Sequence, residues 1–111
     1  MVAELVERTA VDVTLHLSLI NLGEIAYITE RELGTGRADQ ILDDVRRLPM
    51  VLCGIDEQRV LAAAHVKANH ALSYADAFAV ALAQELGATL VSGDPEIQAL
   101  RHIAPVLWIR G

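Results

Sequence analysis

Residues 72–83 read LSYADAFAVALA, and residues 90–95 read LVSGDP. The first stretch predicts an amphipathic helix with Asp76 in its first turn, and the second predicts a short apolar strand followed at once by Asp94. Glu24 lies in a similar setting, shortly after another predicted strand. Because open parallel sheets bind ligands at the carboxyl ends of their strands, we expect these three acids to converge on one crevice.

The size and charge of the chain limit its class. A length of 111 residues and a mass of 12.0 kDa predict a single domain over residues 1–111. A formal net charge of -6 argues against a broad basic face that holds nucleic acid, so nucleic-acid chemistry would need bound cations. No signal peptide and no membrane-spanning apolar run is predicted. The single cysteine, Cys53, lies in an apolar run, which predicts a buried thiol and a reducing cytoplasm.

Helical and strand-like patterns alternate along the sequence. The predicted helices cover residues 2–9, 20–33, 38–48, 56–69, 73–86 and 95–101, and the predicted strands cover residues 11–18, 50–54, 89–92 and 106–109. Residues 34–36, Gly-Thr-Gly, are interpreted as a helix end and a turn, Asp56 as a helix N-cap, and Gly87 as a helix end. Strands interleaved with helices predict an α/β layered fold with a mainly parallel sheet.

Each of the three acids also has a simpler explanation as a helix cap. Ser73 with Asp76 matches a capping box. Asn21 with Glu24 has the same form, and Asp94 before a proline is typical of an N-cap. Taken singly, the acids favour capping, whereas their joint placement at strand and helix ends favours a shared site. The two roles are compatible.

The chemistry of such a site follows from its ligands. Three carboxylates in one crevice repel each other unless a cation neutralises them. Oxygen ligands without a His or Cys partner indicate Mg²⁺ or Mn²⁺. The site offers no nucleophile of its own, so the expected reaction is attack of water on a phosphodiester. The metal would lower the pKa of the water and stabilise charge on the phosphoryl oxygens. The predicted reaction class is metal-dependent hydrolysis.

Three stretches, residues 18–24, 68–78 and 87–95, resemble the PIN-domain nucleases in order and spacing, in particular the VapC-like toxins of toxin–antitoxin pairs. The resemblance covers nearly the whole chain. It implies a three-layer PIN-like fold, a ribonuclease that cuts single-stranded or looped RNA, and a small antitoxin that covers the metal site. Carried over by position, it implies that the metal ligands are Glu24, Asp76 and Asp94, and that Ser92 supports the last acid.

The sequence departs from the family at its N-terminus. Family members begin with an apolar strand that ends in an Asp, the first metal ligand, followed by a helix, and Asp12 lies too late in the chain to replace that ligand. The absent strand is the central one in a sheet of order 3-2-1-4-5. Its loss would leave the strands at residues 11–18 and 89–92 with unpaired edges. We expect either a shortened chain whose full form carries the strand, or a chain that repairs the sheet. The repair could come from re-pairing of its strands or from pairing with a second copy, which predicts an unusual homodimer.

The same departure keeps alternative functions open. A metal site that lacks one ligand favours a catalytically impaired PIN-like module whose role is protein binding or oligomerisation. A third interpretation is a structural α/β domain in which all three acids are only caps.

Overall fold

The structure, a computed structural model, describes residues 15–92 and 106–108, and the side chains of residues 15–89. The elements in chain order are β1 (Leu15–Ser18), α1 (Leu19–Leu33), α2 (Thr35–Arg47), β2 (Met50–Cys53), α3 (Glu57–Asn69), α4 (Tyr74–Leu86), β3 (Leu90–Ser92) and β4 (Val106–Trp108). The predicted helices at residues 2–9 and 95–101 lie outside the described residues. So do residues 11–14 of the first predicted strand.

The chain divides into two compact units, Met1–Gly54 and Ile55–Gly111. In the N-terminal unit, β1 pairs with β2 in parallel, with Leu15 opposite Met50 and Ser18 opposite Cys53. In the C-terminal unit, β3 pairs with β4, also in parallel. Helices interleaved with parallel strands confirm the predicted α/β class. The prediction of one domain over residues 1–111 stays a prediction.

A glycine and a buried serine set the limits of α1. The Ser18 hydroxyl accepts a hydrogen bond from the Ile20 backbone N–H over 3.2 Å and so caps the helix, although Ser18 is also the last residue of β1. The helix ends at Gly34, whose φ of +89° is open to glycine but strained for other residues. α1 packs against α2, which begins immediately after this glycine.

The predicted turn at residues 34–36 is therefore wrong in its extent. Thr35 and Gly36 are already part of α2, three residues before the predicted helix start. The carbonyl of Gly34 accepts the Ala38 backbone N–H over 3.1 Å, so one residue both ends the first helix and opens the second. A single positive φ is enough to redirect the chain, and the second glycine remains helical.

The helices of the C-terminal unit confirm the predicted caps. The Asp56 carboxylate accepts the Arg59 backbone N–H over 2.8 Å at the start of α3. Gly87 ends α4 in the left-handed conformation, with a φ of +59°. α3 packs against α4. Among residues 55–89 of this unit, the buried side chains are mostly small: Ala63, Val66, Leu72, Ala77, Phe78, Val80, Ala81, Leu82 and Ala83.

An ion pair joins the exposed edges of the same two helices. The Arg59 guanidinium donates from its Nε to Glu85 Oε1 over 3.0 Å and from a terminal nitrogen to Oε2 over 2.9 Å. This two-pronged geometry matches the planar guanidinium to the carboxylate and fixes the orientation of both side chains. None of the helices in the described part of the chain is long and apolar enough to cross a lipid bilayer.

Candidate metal centre

Asp76 is the third residue of α4, and its backbone N–H takes part in the cap of this helix. The Ser73 hydroxyl accepts the Asp76 backbone N–H over 3.1 Å. Ser73 is thus the N-cap that the sequence predicts, and this bond does not depend on the charge of the Asp76 side chain. Asp76 itself is half-buried.

The connection before α4 is held in place by a lysine. Lys67, in the last turn of α3, donates a hydrogen bond from its Nζ to the Leu72 carbonyl over 2.9 Å. Leu72 is buried, with 6% of its surface exposed, and is followed directly by Ser73. The buried side chain and the bonded carbonyl together anchor the residue before the cap, which limits the positions open to the first turn of α4.

Glu24 lies inside α1, six residues after its N-cap. Because Ser18 caps this helix, the interpretation of Asn21 with Glu24 as a capping box is wrong. Both residues have helical neighbours on either side, and Glu24 is half-buried. Glu24 is therefore not part of the cap of α1, whereas Asp76 lies in the capped first turn of α4.

The remaining predicted residues belong to the end of the sequence. β3 ends at Ser92, which stands opposite Trp108 in the parallel register, and the side chain of Ser92 is not among those described. Asp94 lies outside the described residues. Ser92 does occupy the carboxyl end of a parallel strand, the position where ligands approach such sheets.

A shared site for the three acids stays a prediction. Glu24 belongs to the N-terminal unit and Asp76 to the C-terminal unit, and each unit is described by itself. Over residues 15–92 and 106–108, no three His, Cys, Asp or Glu residues gather in a way that could hold a metal ion. The donor chemistry of the predicted set, carboxylates only, suits a hard cation such as Mg²⁺.

Two side-chain pairs join residues that are distant in the sequence. Cys53, buried as predicted, has its Sγ 3.8 Å from His16 Nδ1 on the neighbouring strand. The parallel register sets these two residues diagonally across β1 and β2, so a correct strand pairing would have revealed the contact. The Arg59–Glu85 pair joins two helices and has no local sequence signal. The hydrogen bond from Arg59 holds the pKa of Glu85 below the ordinary value of 4.5, and the positive charge of Arg59 makes a smaller contribution in the same direction.

Comparison with known proteins identifies one family. The family model described as PIN domain matches residues 2–103, which is most of the chain. No curated protein matches the chain.

Proposed function

The chain belongs to the PIN domain family, and on that premise we propose that it is a metal-dependent ribonuclease, the toxin of a toxin–antitoxin pair. The observation that supports this proposal best is the family match together with the setting of Asp76. Its carboxylate lies in the first turn of a helix whose cap bond uses a backbone amide, so the side chain is not required for that bond. Glu24 and Asp94 complete the proposed ligand set, and Ser92 supports Asp94.

The proposed reaction is hydrolysis of an RNA phosphodiester bond. Mg²⁺ or Mn²⁺ bound by the three carboxylates would lower the pKa of a bound water and stabilise negative charge on the phosphoryl oxygens. The carboxylates themselves position the cation. Unpaired RNA suits a small acidic crevice better than a stacked duplex, because its backbone and bases can be splayed apart.

A protein partner is part of the proposal. A net charge of -6 suits a basic segment of a cognate antitoxin, which would approach under electrostatic attraction in the cytoplasm. Of the fifteen residues of α1, none is buried, and Leu19, Tyr27 and Leu33 are exposed by 43%, 55% and 63%. Apolar side chains left in solvent along one helix favour a protein-binding role, for an antitoxin or for a second copy in a homodimer.

The same exposed helix favours the second candidate function, a catalytically impaired PIN-like module that binds proteins or assembles with itself. In that case the acids are not needed for catalysis, and the exposed apolar residues of α1 form the functional surface. RNA cleavage separates the two candidates.

The test compares cleavage of labelled single-stranded RNA in Mn²⁺ by the wild type, Asp76→Asn and Asp56→Asn. Asp56 is a matched control, because it also opens a helix of the same unit and Asn caps helices as well as Asp does. We expect Asp76→Asn to lose at least about tenfold in rate, as expected for weakened metal ligation, and Asp56→Asn to keep the wild-type rate. Equal cleavage by Asp76→Asn and the wild type would exclude a role for this site.

A further inference from the structure

Two aromatic rings stack at the start of α4. The ring centroids of Tyr74 and Phe78 are 5.2 Å apart, and the ring planes differ by 24°. Phe78 is buried, with 7% of its surface exposed, whereas Tyr74 is 44% exposed. A core ring thus supports a second ring that presents nearly half of its surface to solvent.

The stacking contact favours one orientation of the exposed ring before any ligand binds. Tyr74 and Phe78 are four residues apart, so they share one helical face. The α4 residues around Phe78 belong to the core of the C-terminal unit, and the start of the helix is anchored by Ser73 and by Leu72. A preoriented ring loses little conformational entropy when it binds, which favours its use as a contact surface.

The ring lies in the same helical turn as a proposed metal ligand. Tyr74 and Asp76 are the first and third residues of α4. At about 100° per residue, their side chains leave the helix start on different sides, about 200° apart. A base stacked on Tyr74 would therefore belong to a neighbouring nucleotide of the strand, and not to the one that carries the scissile phosphate.

The charge of the chain makes such a contact valuable. With a formal net charge of -6, the protein gains little affinity for RNA from the phosphate backbone. Stacking of a base on an aromatic ring does not depend on net charge and tolerates any base, because every base has a π face. We propose that the exposed ring of Tyr74, supported by Phe78, is a stacking platform for an unpaired base that flanks the cleaved phosphate. This inference rests on the proposed function in taking RNA as the ligand.

The competing explanation is that Tyr74 only covers Phe78. The second tyrosine of the chain, Tyr27, provides a matched control. It lies on α1 in the N-terminal unit, is 55% exposed, and has the Arg31 guanidinium 5.5 Å from its ring centroid. It shares the chemistry of Tyr74 and even lies one helical turn after Glu24, another proposed ligand, but its ring contacts a guanidinium and is not supported by a buried ring.

The experiment measures binding of the full chain by fluorescence anisotropy in Ca²⁺, with a labelled short single-stranded oligoribonucleotide and an abasic copy of it. We expect Tyr74→Leu to weaken binding to the complete probe about five- to hundredfold, the loss that corresponds to one stacked base. Tyr74→Phe and Tyr27→Leu should stay within about twofold of the wild type. The abasic probe should show no difference between Tyr74→Leu and the wild type, because it has no base to stack.

Thermal unfolding of each variant shows whether it is folded at the temperature of the binding assay. Wild-type affinity in Tyr74→Leu, an equal loss with the abasic probe, an equal loss in Tyr74→Phe, or no RNA binding by the wild type would each overturn the inference. Failure of the proposed function has a different readout, since it is judged by cleavage in Asp76→Asn. A Tyr74 effect on binding, with cleavage unchanged in Asp76→Asn, would keep the platform and reject the metal site.

Discussion

Ser73 and Asp76 share a hydrogen bond but are expected to contribute to stability in different ways. The Ser73 hydroxyl accepts the Asp76 backbone N–H over 3.1 Å. Ser73→Ala removes this acceptor and should lower the free energy of unfolding by about 1 kcal/mol. Asp76→Asn leaves the backbone bond in place and keeps the side-chain volume. Without metal it should cost less than Ser73→Ala, about 0.3 kcal/mol, from the lost attraction between the carboxylate and the helix N-terminus.

In the presence of a divalent metal, Asp76→Asn should become more destabilising than Ser73→Ala. A cation that binds only the native state at about one hundred times its Kd stabilises the fold by about 2.7 kcal/mol. For a chain of this length, 1 kcal/mol corresponds to about 4 °C in Tm, so Mg²⁺ should raise the wild-type Tm by roughly 10 °C. Ser73→Ala should keep most of that gain, whereas Asp76→Asn should lose it.

Differential scanning fluorimetry with and without Mg²⁺ measures both quantities for the wild type and the two variants. An unchanged wild-type Tm over the whole Mg²⁺ titration would refute the metal-ligand role of Asp76. An Asp76→Asn penalty without metal as large as that of Ser73→Ala would refute the separation of the two contributions and favour a pure capping role.

Two further predictions concern the backbone and pH. Gly34→Ala should cost about 1–3 kcal/mol in urea unfolding, because its φ of +89° is strained for a residue with a Cβ, whereas Gly36→Ala, helical and with open space around it, should stabilise by about 0.5–1 kcal/mol. Since the Glu85 pKa lies below 4.5, its pairing with Arg59 stabilises the fold above that pH and is lost as the pH falls through the lowered pKa. The urea midpoint of the wild type should therefore fall more steeply in acid than that of Arg59→Gln, and parallel curves would contradict this.

Much of the fold was predictable because the ends of its helices and strands depend on residues close together in the sequence. Asp56, Ser73 and Gly87 each act at the helix end that the sequence predicts, since capping and the left-handed conformation involve only neighbouring residues. The strands were predicted within one residue at their described ends, because short apolar runs between turn residues are distinctive.

The two wrong predictions, the extent of the turn after α1 and the N-cap of α1, arose where neighbouring residues offered two possible boundaries. At Gly34, the sequence offers two glycines close together, and only the backbone shows that the first alone takes a positive φ. At the start of α1, Ser18 and Asn21 are both suitable caps, and the strand runs directly into the helix at Ser18. The choice between two candidate caps depends on where the preceding strand ends, which local patterns do not fix.

The candidate site was predictable only in part. Asp76 lies where the sequence predicts, at the start of a helix, because a cap determines its position. The pairs His16 with Cys53 and Arg59 with Glu85 depend on strand register and helix packing, which join residues distant in the chain. Convergence of Glu24, Asp76 and Asp94 would likewise depend on how distant parts of the chain pack, which local sequence patterns do not determine.

The parallel pairing of β1 with β2 affects the order in which the N-terminal unit folds. A hairpin can join antiparallel strands, but the connection between these two strands has to contain both α1 and α2. Closure of so long a loop costs chain entropy before any ladder bond compensates for it. We therefore expect the helices of this unit to form first, and the newly synthesised chain to pass through a stage in which the apolar strands are present but not yet joined.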